Sequence, residues 1–235
     1  IFAILVNLQQ IRFGVTHPFD IIPPTLVTDV ITQCPSTRVM KLAMSYLVYA
    51  SSYVLKKHLK DLKAALGVLL SFDEPEIEEY VLLIAATASI STESVTKLLK
   101  ITKLRILIED SLCSADTAKI ELGLNIVIAM IPHFRGDNFP IALYPIINHL
   151  ESEDKGIVSL SCQALLIAAK FRKAGDLATP LIISYLVVLS NNQDVSYDLK
   201  ISASSCAAHL LTFLPDFACK ELVDAGILSF MFKMF

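Results

Sequence analysis

The sequence predicts an all-α chain: a right-handed α-solenoid of stacked helix pairs or triplets, with about five repeats of ~40 residues. Three observations predict it. Five strongly apolar helical segments recur, anchored at Leu42, Tyr80, Gly123, Cys162 and Cys206, at spacings of 38, 43, 39 and 44 residues. Shorter apolar segments lie between them, at 58–71, 139–150 and 177–190. No stretch shows the alternation of a half-buried strand, and only 7 glycines among 235 residues disfavour folds that rely on glycine turns.

Each element follows from local chemistry. Residues 1–12 read as the end of a helix already under way. The stretch 14–24 (GVTHPFDIIPP) is a break, because prolines and a glycine do not suit a helix interior. Residues 25–34 form a short helix stopped by Pro35, and Ser36 can cap a long apolar helix over 38–55. Residues 57–72 carry Leu59, Leu62, Leu66, Leu69 and Leu70 at helical spacing. Asp73 and Pro75 open the next helix, with acidic residues where the helix dipole favours them, and it runs to about Ile90.

Residues 92–110 are less regular and predict two short helices. Asp116 opens a helix over 117–131, closed by Pro132. The Arg135-Gly136-Asp137-Asn138 run is a loop, and its Arg-Gly-Asp match reads as a turn. Asn138 can cap a helix that Pro145 kinks or restarts. Residues 154–173 place Ile157, Leu160, Ala164, Ala168 and Phe171 on one face, and Gly175 ends that helix. Asp176 and Pro180 start another. Helices over 195–214 and 218–235 complete the chain. The small residues Ala164, Ala168, Ala203 and Ala207 are expected at close helix–helix contacts. The organisation read from this pass is an incomplete N-terminal helical repeat over 1–35, with its proline-rich break, followed by a solenoid over 36–235.

Composition narrows the function. Hydrophobic residues make up 54% and charged residues 18%, and the mean hydropathy is +0.59. Inner helices covered on several sides account for this, since such helices are apolar nearly all round. The longest charge-free run, 177–193, has an apolar centre about half the ~20 residues that a spanning helix needs, so no transmembrane segment is expected. Twenty basic and 23 acidic residues leave a net charge of −3 without a basic stripe, so nucleic acid is not expected as the main ligand. Local clusters exist: Lys56, Lys57, Lys60 and Lys63; the basic patch Lys97, Lys100, Lys103 and Arg105; and the acidic Asp73, Glu74, Glu76, Glu78 and Glu79. They read first as solvated helix faces. The cysteines, Cys34, Cys113, Cys162, Cys206 and Cys219, are odd in number and fit no metal spacing. Cys162 and Cys206 read as small core residues, which points to an intracellular, cytoplasmic or nuclear setting.

The chain from Gly156 onward resembles armadillo and HEAT repeats. The segment ELVDAGILSFMFKMF (221–235) is similar to the armadillo second helix, and ISASSCAAHLLTFL (201–214) to the third. The resemblance extends over 36–235 and implies the fold and a general role in protein binding. Armadillo proteins that hold extended peptides carry a ladder of Trp and Asn on their third helices. This chain has no Trp, and the positions nearest the ladder Asn are Ala85, Ile128, Ile167 and Leu211, so that peptide clamp does not carry over.

Catalytic signatures are lacking. The five histidines form no metal-binding pair, and no Walker loop, nucleophile elbow or dinucleotide fingerprint occurs. Neither catalytic residues, a metal nor a cofactor is expected. The few polar residues on the apolar inner helices, Tyr46, Glu79, Asn125, Gln163 and His209, are the candidate partner-binding residues. Each could instead lie on whatever face is wet, or bond a neighbouring helix. The expected function is a protein-binding scaffold or adaptor, not an enzyme. The alternative is a structural trunk segment of a larger transport or vesicle-coat assembly, with an all-α enzyme or a membrane protein behind it. The apolar ends, 1–6 and 227–235, predict that further repeats, a partner or a second copy covers them.

Overall fold

The computed structural model describes residues 18–33, 36–72, 74–134, 139–171, 179–193 and 195–212. These residues form α-helices, 3-10 turns and short joints, and no strand occurs among them. The expected helices over 1–12 and 218–235, the Arg-Gly-Asp loop, Gly175 and Asp176 lie outside the described residues, as do both ends of the chain. The chain divides into two compact units, Ile1–Ile141 and Ala142–Phe235. The repeat spacing alone does not mark this division.

In the first unit the helices are α1 (Pro18–Ile21), α2 (Pro24–Gln33), α3 (Thr37–Ser51), α4 (Leu59–Leu69), α5 (Pro75–Ala88), α6 (Thr92–Leu98), α7 (Thr102–Leu112) and α8 (Thr117–Met130). Helices α3, α5 and α8 stack side by side as an inner row: α3 packs on α5, and α5 on α8. The remaining helices cover that row, with α2 on α3 and α4, α4 on α5 and α6, and α7 on α8. The break expected over 14–24 therefore contains a helix of one turn, and Pro24 begins the next one.

The second unit has α9 (Tyr144–Asn148), α10 (Lys155–Phe171), α11 (Pro180–Asn191) and α12 (Tyr197–Leu211). Here α10 stacks on α12, and α11 packs on α12. Pro145 sits at the start of α9, where its missing N–H costs nothing, so it starts a helix instead of kinking one.

The caps explain the boundaries. Asp116 accepts from the Ala118 N–H at 2.9 Å, and the Asp154 carboxylate accepts from Gly156 N–H at 2.8 Å. Thr179 and Ser196 accept from Ile182 and Leu199 N–H. Helix α6 opens with a reciprocal pair: Ser91 Oγ accepts from Ser94 N–H at 3.2 Å, and Ser94 Oγ accepts from Ser91 N–H at 3.1 Å. Ser36 departs from expectation. It occupies the N-cap position of α3, but its side chain makes no capping hydrogen bond.

Ala164, Ala168, Ala203 and Ala207, expected at helix–helix contacts, are at most 1% exposed. Phe171, assigned to the same buried face as Ala164, is 52% exposed instead. It is the last residue of its helix, beyond the reach of the packed turns.

Candidate protein-binding surface

The five helices α3, α5, α8, α10 and α12 share one burial signature. Each shows two buried residues, one residue partly or fully open to solvent (Ser45 and Leu83 half-buried, the other three exposed), and two more buried residues. In α3 these are Ala43-Met44, Ser45 and Tyr46-Leu47; in α5, Val81-Leu82, Leu83 and Ile84-Ala85. In α8 they are Gly123-Leu124, Asn125 and Ile126-Val127. In α10 they are Ser161-Cys162, Gln163 and Ala164-Leu165; in α12, Ala203-Ser204, Ser205 and Cys206-Ala207. A further buried residue follows in each, at Ala50, Ala88, Met130, Ala168 and Leu210. A helix packed on both flanks leaves only a narrow strip open, and the middle residue lies on that strip.

The open positions, 45, 83, 125, 163 and 205, repeat at intervals of 38, 42, 38 and 42 residues. Four of the five are polar. They occur on helices whose other central residues are almost all apolar, so the polar choice is local to the open strip.

Asn125 and Gln163, two of the residues singled out from the sequence, occupy this register and are exposed. Glu79 is exposed one helical turn before Leu83, and His209 is half-buried one turn after Ser205. His209 Nε2 lies 3.2 Å from the Ala169 carbonyl oxygen, so the ring is engaged with the neighbouring helix. Tyr46 is not on the strip. It is 3% exposed, and its hydroxyl donates to the Pro18 carbonyl at 2.6 Å, with the Ile22 carbonyl at 3.1 Å. Burial pushes the phenol far above its ordinary pKa, with a smaller contribution from Tyr49. Tyr46 is a structural residue that ties α1 to α3.

Ala85, assigned from the sequence to a ladder position, is fully buried, and Ile128 and Ile167 are half-buried. The open register lies two positions earlier than Ala85. Ser45 and Ser205 were missed because a lone serine between apolar residues carries no chemical signal of its own. The flanking pairs of small or apolar residues were the signal available.

Charged pairs flank the open strip in the first unit. Lys41 Nζ lies 3.2 Å from Glu76 Oε2, bridging α3 and α5. Lys119 Nζ lies 3.9 Å from Glu78 Oε2, bridging α5 and α8. The first pair is exposed and the second partly exposed and long, so each contributes at most about 1 kcal/mol.

The basic patch read from the sequence divides between elements. Lys97, on α6, pairs with Glu93 at 3.3 Å. Lys100 is exposed beyond the end of α6. Lys103, on α7, donates to the Leu70 carbonyl at 3.5 Å. It borders a cleft of about 340 Å³ with Leu69, Phe72 and Glu78. Arg105 is half-buried, and its Nε has no hydrogen-bond partner.

No group of three His, Cys, Asp or Glu side chains suited to a metal ion occurs among the described residues. No described helix is long and apolar enough to cross a membrane. Cys162 and Cys206 are buried, and burial pushes both thiols up to about 12.

The architecture matches known repeat folds. A designed armadillo repeat protein, YIII(Dq.V1)4CPAF, in complex with the peptide (KR)4, superposes with a TM-score of 0.68 at 14% identity, over 88% of this chain and 92% of that one. Computationally designed armadillo repeat proteins for modular peptide recognition match with a TM-score of 0.64 at 16% identity, over 88% and 92%. The archaeal HEAT-like repeats protein from Thermococcus onnurineus NA1 matches with a TM-score of 0.51 at 14% identity, over 92% and 77%. No protein-family model matches the chain, and no curated protein matches its sequence. The fold is therefore an all-α solenoid of the armadillo/HEAT type.

Proposed function

We propose that this chain is a protein-binding scaffold or adaptor, and that the open strips of α3, α5 and α8 in the first unit, and of α10 and α12 in the second, are each within their own unit a surface that receives a partner. The observation that carries this reading is the register of Ser45, Asn125, Gln163 and Ser205. Polar side chains recur at the position left open between two buried pairs, on helices whose central residues are otherwise almost all apolar. Serine and carboxamide side chains donate and accept hydrogen bonds, and spaced along the stacked helices within each unit they suit the backbone of an extended segment. The structural neighbours support the reading by likeness of fold, one of them being in complex with a peptide and another designed for modular peptide recognition. Lacking Trp, this surface has no ladder of indole rings, and the hydrogen-bonding side chains carry the recognition.

The test is quantitative capture from the native cell extract with three baits: wild type, Asn125→Arg and Gln163→Arg. Both positions are exposed, so the variants keep the fold. Proteins retained by wild type and lost from one or both variants support the reading. Identical retention on all three baits removes the inner strips from the binding surface and favours a spanning, structural role.

A further inference from the structure

We infer that the outer face of the first unit, built on Lys56, Lys60, Lys63, Lys97 and Lys100, docks this protein on an anionic membrane surface. This face lies on the covering helices, so the inference stands apart from the inner-strip reading.

Lys56, Lys60 and Lys63 follow one another at helical spacing, and all three are exposed. Helix α6 packs against α4, and one carboxylate joins their lysines. Glu93 receives Lys56 Nζ at 3.3 Å and Lys97 Nζ at 3.3 Å. These contacts hold its carboxyl below the usual carboxylate range against the opposing effect of desolvation. Lys100 stands exposed just past α6. Across residues 56–71 and 91–100 there are six lysines and two acidic residues, Asp61 and Glu93, and one of the six, Lys57, is paired with Asp20 at 2.6 Å. The whole chain carries a net charge of −3, so positive charge is concentrated on this face. Among the described residues Lys60, Lys63 and Lys100 enter no ion pair.

Two features favour a lipid surface over an acidic peptide. The first is the cation. Residues 52–71 and 91–100 contain no arginine. Arginine is the side chain suited to bidentate capture of individual carboxylates, whereas lysine acts as a mobile point charge and answers to a diffuse potential. The second is the turn before Lys56, where Tyr53 is 54% and Leu55 is 47% exposed. An amphipathic ring and an aliphatic side chain next to lysines suit the headgroup boundary, where the apolar parts enter and the charges stay wet. Beyond the lysines, α4 exposes Ala64, Gly67 and Val68, none larger than valine, and a β-carbon at Gly67 would meet nothing within 4 Å. The small residues leave the lysines as the most projecting groups of that helix face.

The test is co-sedimentation of the full chain with phosphatidylcholine vesicles, with and without phosphatidylserine, at low and high salt. Partition onto the phosphatidylserine vesicles alone, weakened by salt, is expected. Each lysine near an anionic surface contributes about a fivefold factor, so Lys60→Gln/Lys63→Gln/Lys100→Gln is expected to lower partition about a hundredfold. Leu55→Ser is expected to lower it as well, and Lys170→Gln, on α10, to leave it unchanged. An unaltered thermal melt of the triple variant shows that the fold survives. Equal partition of wild type and triple variant overturns the inference, as does the absence of partition onto phosphatidylserine vesicles. Binding of soluble poly-glutamate without vesicle partition also overturns it, and assigns the face to an acidic peptide.

Discussion

Gly123 lies directly against Leu112. A β-carbon at residue 123 would stand 3.1 Å from Leu112 Cδ2 and 3.3 Å from the Leu112 backbone nitrogen. The absence of a side chain lets α8 approach the last turn of α7. Gly67 is the opposite case, a mid-helix glycine facing open space. Two glycines of like local structure should therefore respond in opposite directions. Gly123→Leu should overpack the junction and cost about 1–3 kcal/mol. Gly67→Ala should add about 0.5–1 kcal/mol by removing backbone freedom from the unfolded chain. Urea denaturation of the two variants checks both signs at once.

Tyr46 predicts a loss without a change of shape. Phe19 packs edge-on against it, with ring centroids 6.3 Å apart, and the same Phe19 lies 5.8 Å from the His58 ring. Tyr46→Phe keeps this packing and removes only the hydroxyl that serves the Pro18 and Ile22 carbonyls. The expected cost is about 1–2 kcal/mol, from the hydrogen bonds lost at both carbonyls, although the Pro18 carbonyl keeps the Ile22 N–H at 3.0 Å. Proteolysis should then cut more readily near α1 than elsewhere. A variant as stable and as resistant as wild type would remove Tyr46 from the anchoring of α1.

The buried thiols predict alkaline sensitivity. Folding raises the Cys162 and Cys206 pKa values from 9.0 to about 12, through burial and, for Cys206, the nearby Cys162. A group raised in the folded state contributes stability that is complete below its unfolded pKa and is lost as pH rises toward the folded value. Stability should therefore fall between about pH 9 and pH 12, and Cys162→Ala/Cys206→Ala should flatten that fall. Of the three cysteines among the described residues, an alkylating reagent at neutral pH should modify exposed Cys113 first, leaving Cys162 and Cys206 untouched until the chain unfolds. Peptide mapping by mass spectrometry reads the order.

Much of the fold was legible because its signals are local. Proline and aspartate at helix starts, with apolar residues at 3–4 spacing, placed helices such as α8 and α12 within a few residues of their ends. The two short helices over 92–110 followed from broken periodicity, though the Ser91–Ser94 pair that starts α6 was not foreseen. The site was less legible, because exposure depends on which neighbours cover a helix. Tyr46 and Asn125 look alike in sequence, each a polar residue in an apolar helix. Packing buries one under α1 and leaves the other open. The sequence anchors drifted against the true register for the same reason: apolar centre and open position are different points on a helix. His209 shows the third outcome, a polar residue on the wet side whose ring turns back to an adjacent helix.

The most direct measurement of the central claim is site-specific photo-cross-linking in the native cell. A photoreactive amino acid placed at Asn125 or Gln163 samples the open strips, and the same residue at Asp110, exposed on α7, samples the covering layer. The account predicts discrete cross-linked products with a second protein from positions 125 and 163, weak or absent from position 110. Cross-linking from position 110 with none from 125 or 163 would contradict it.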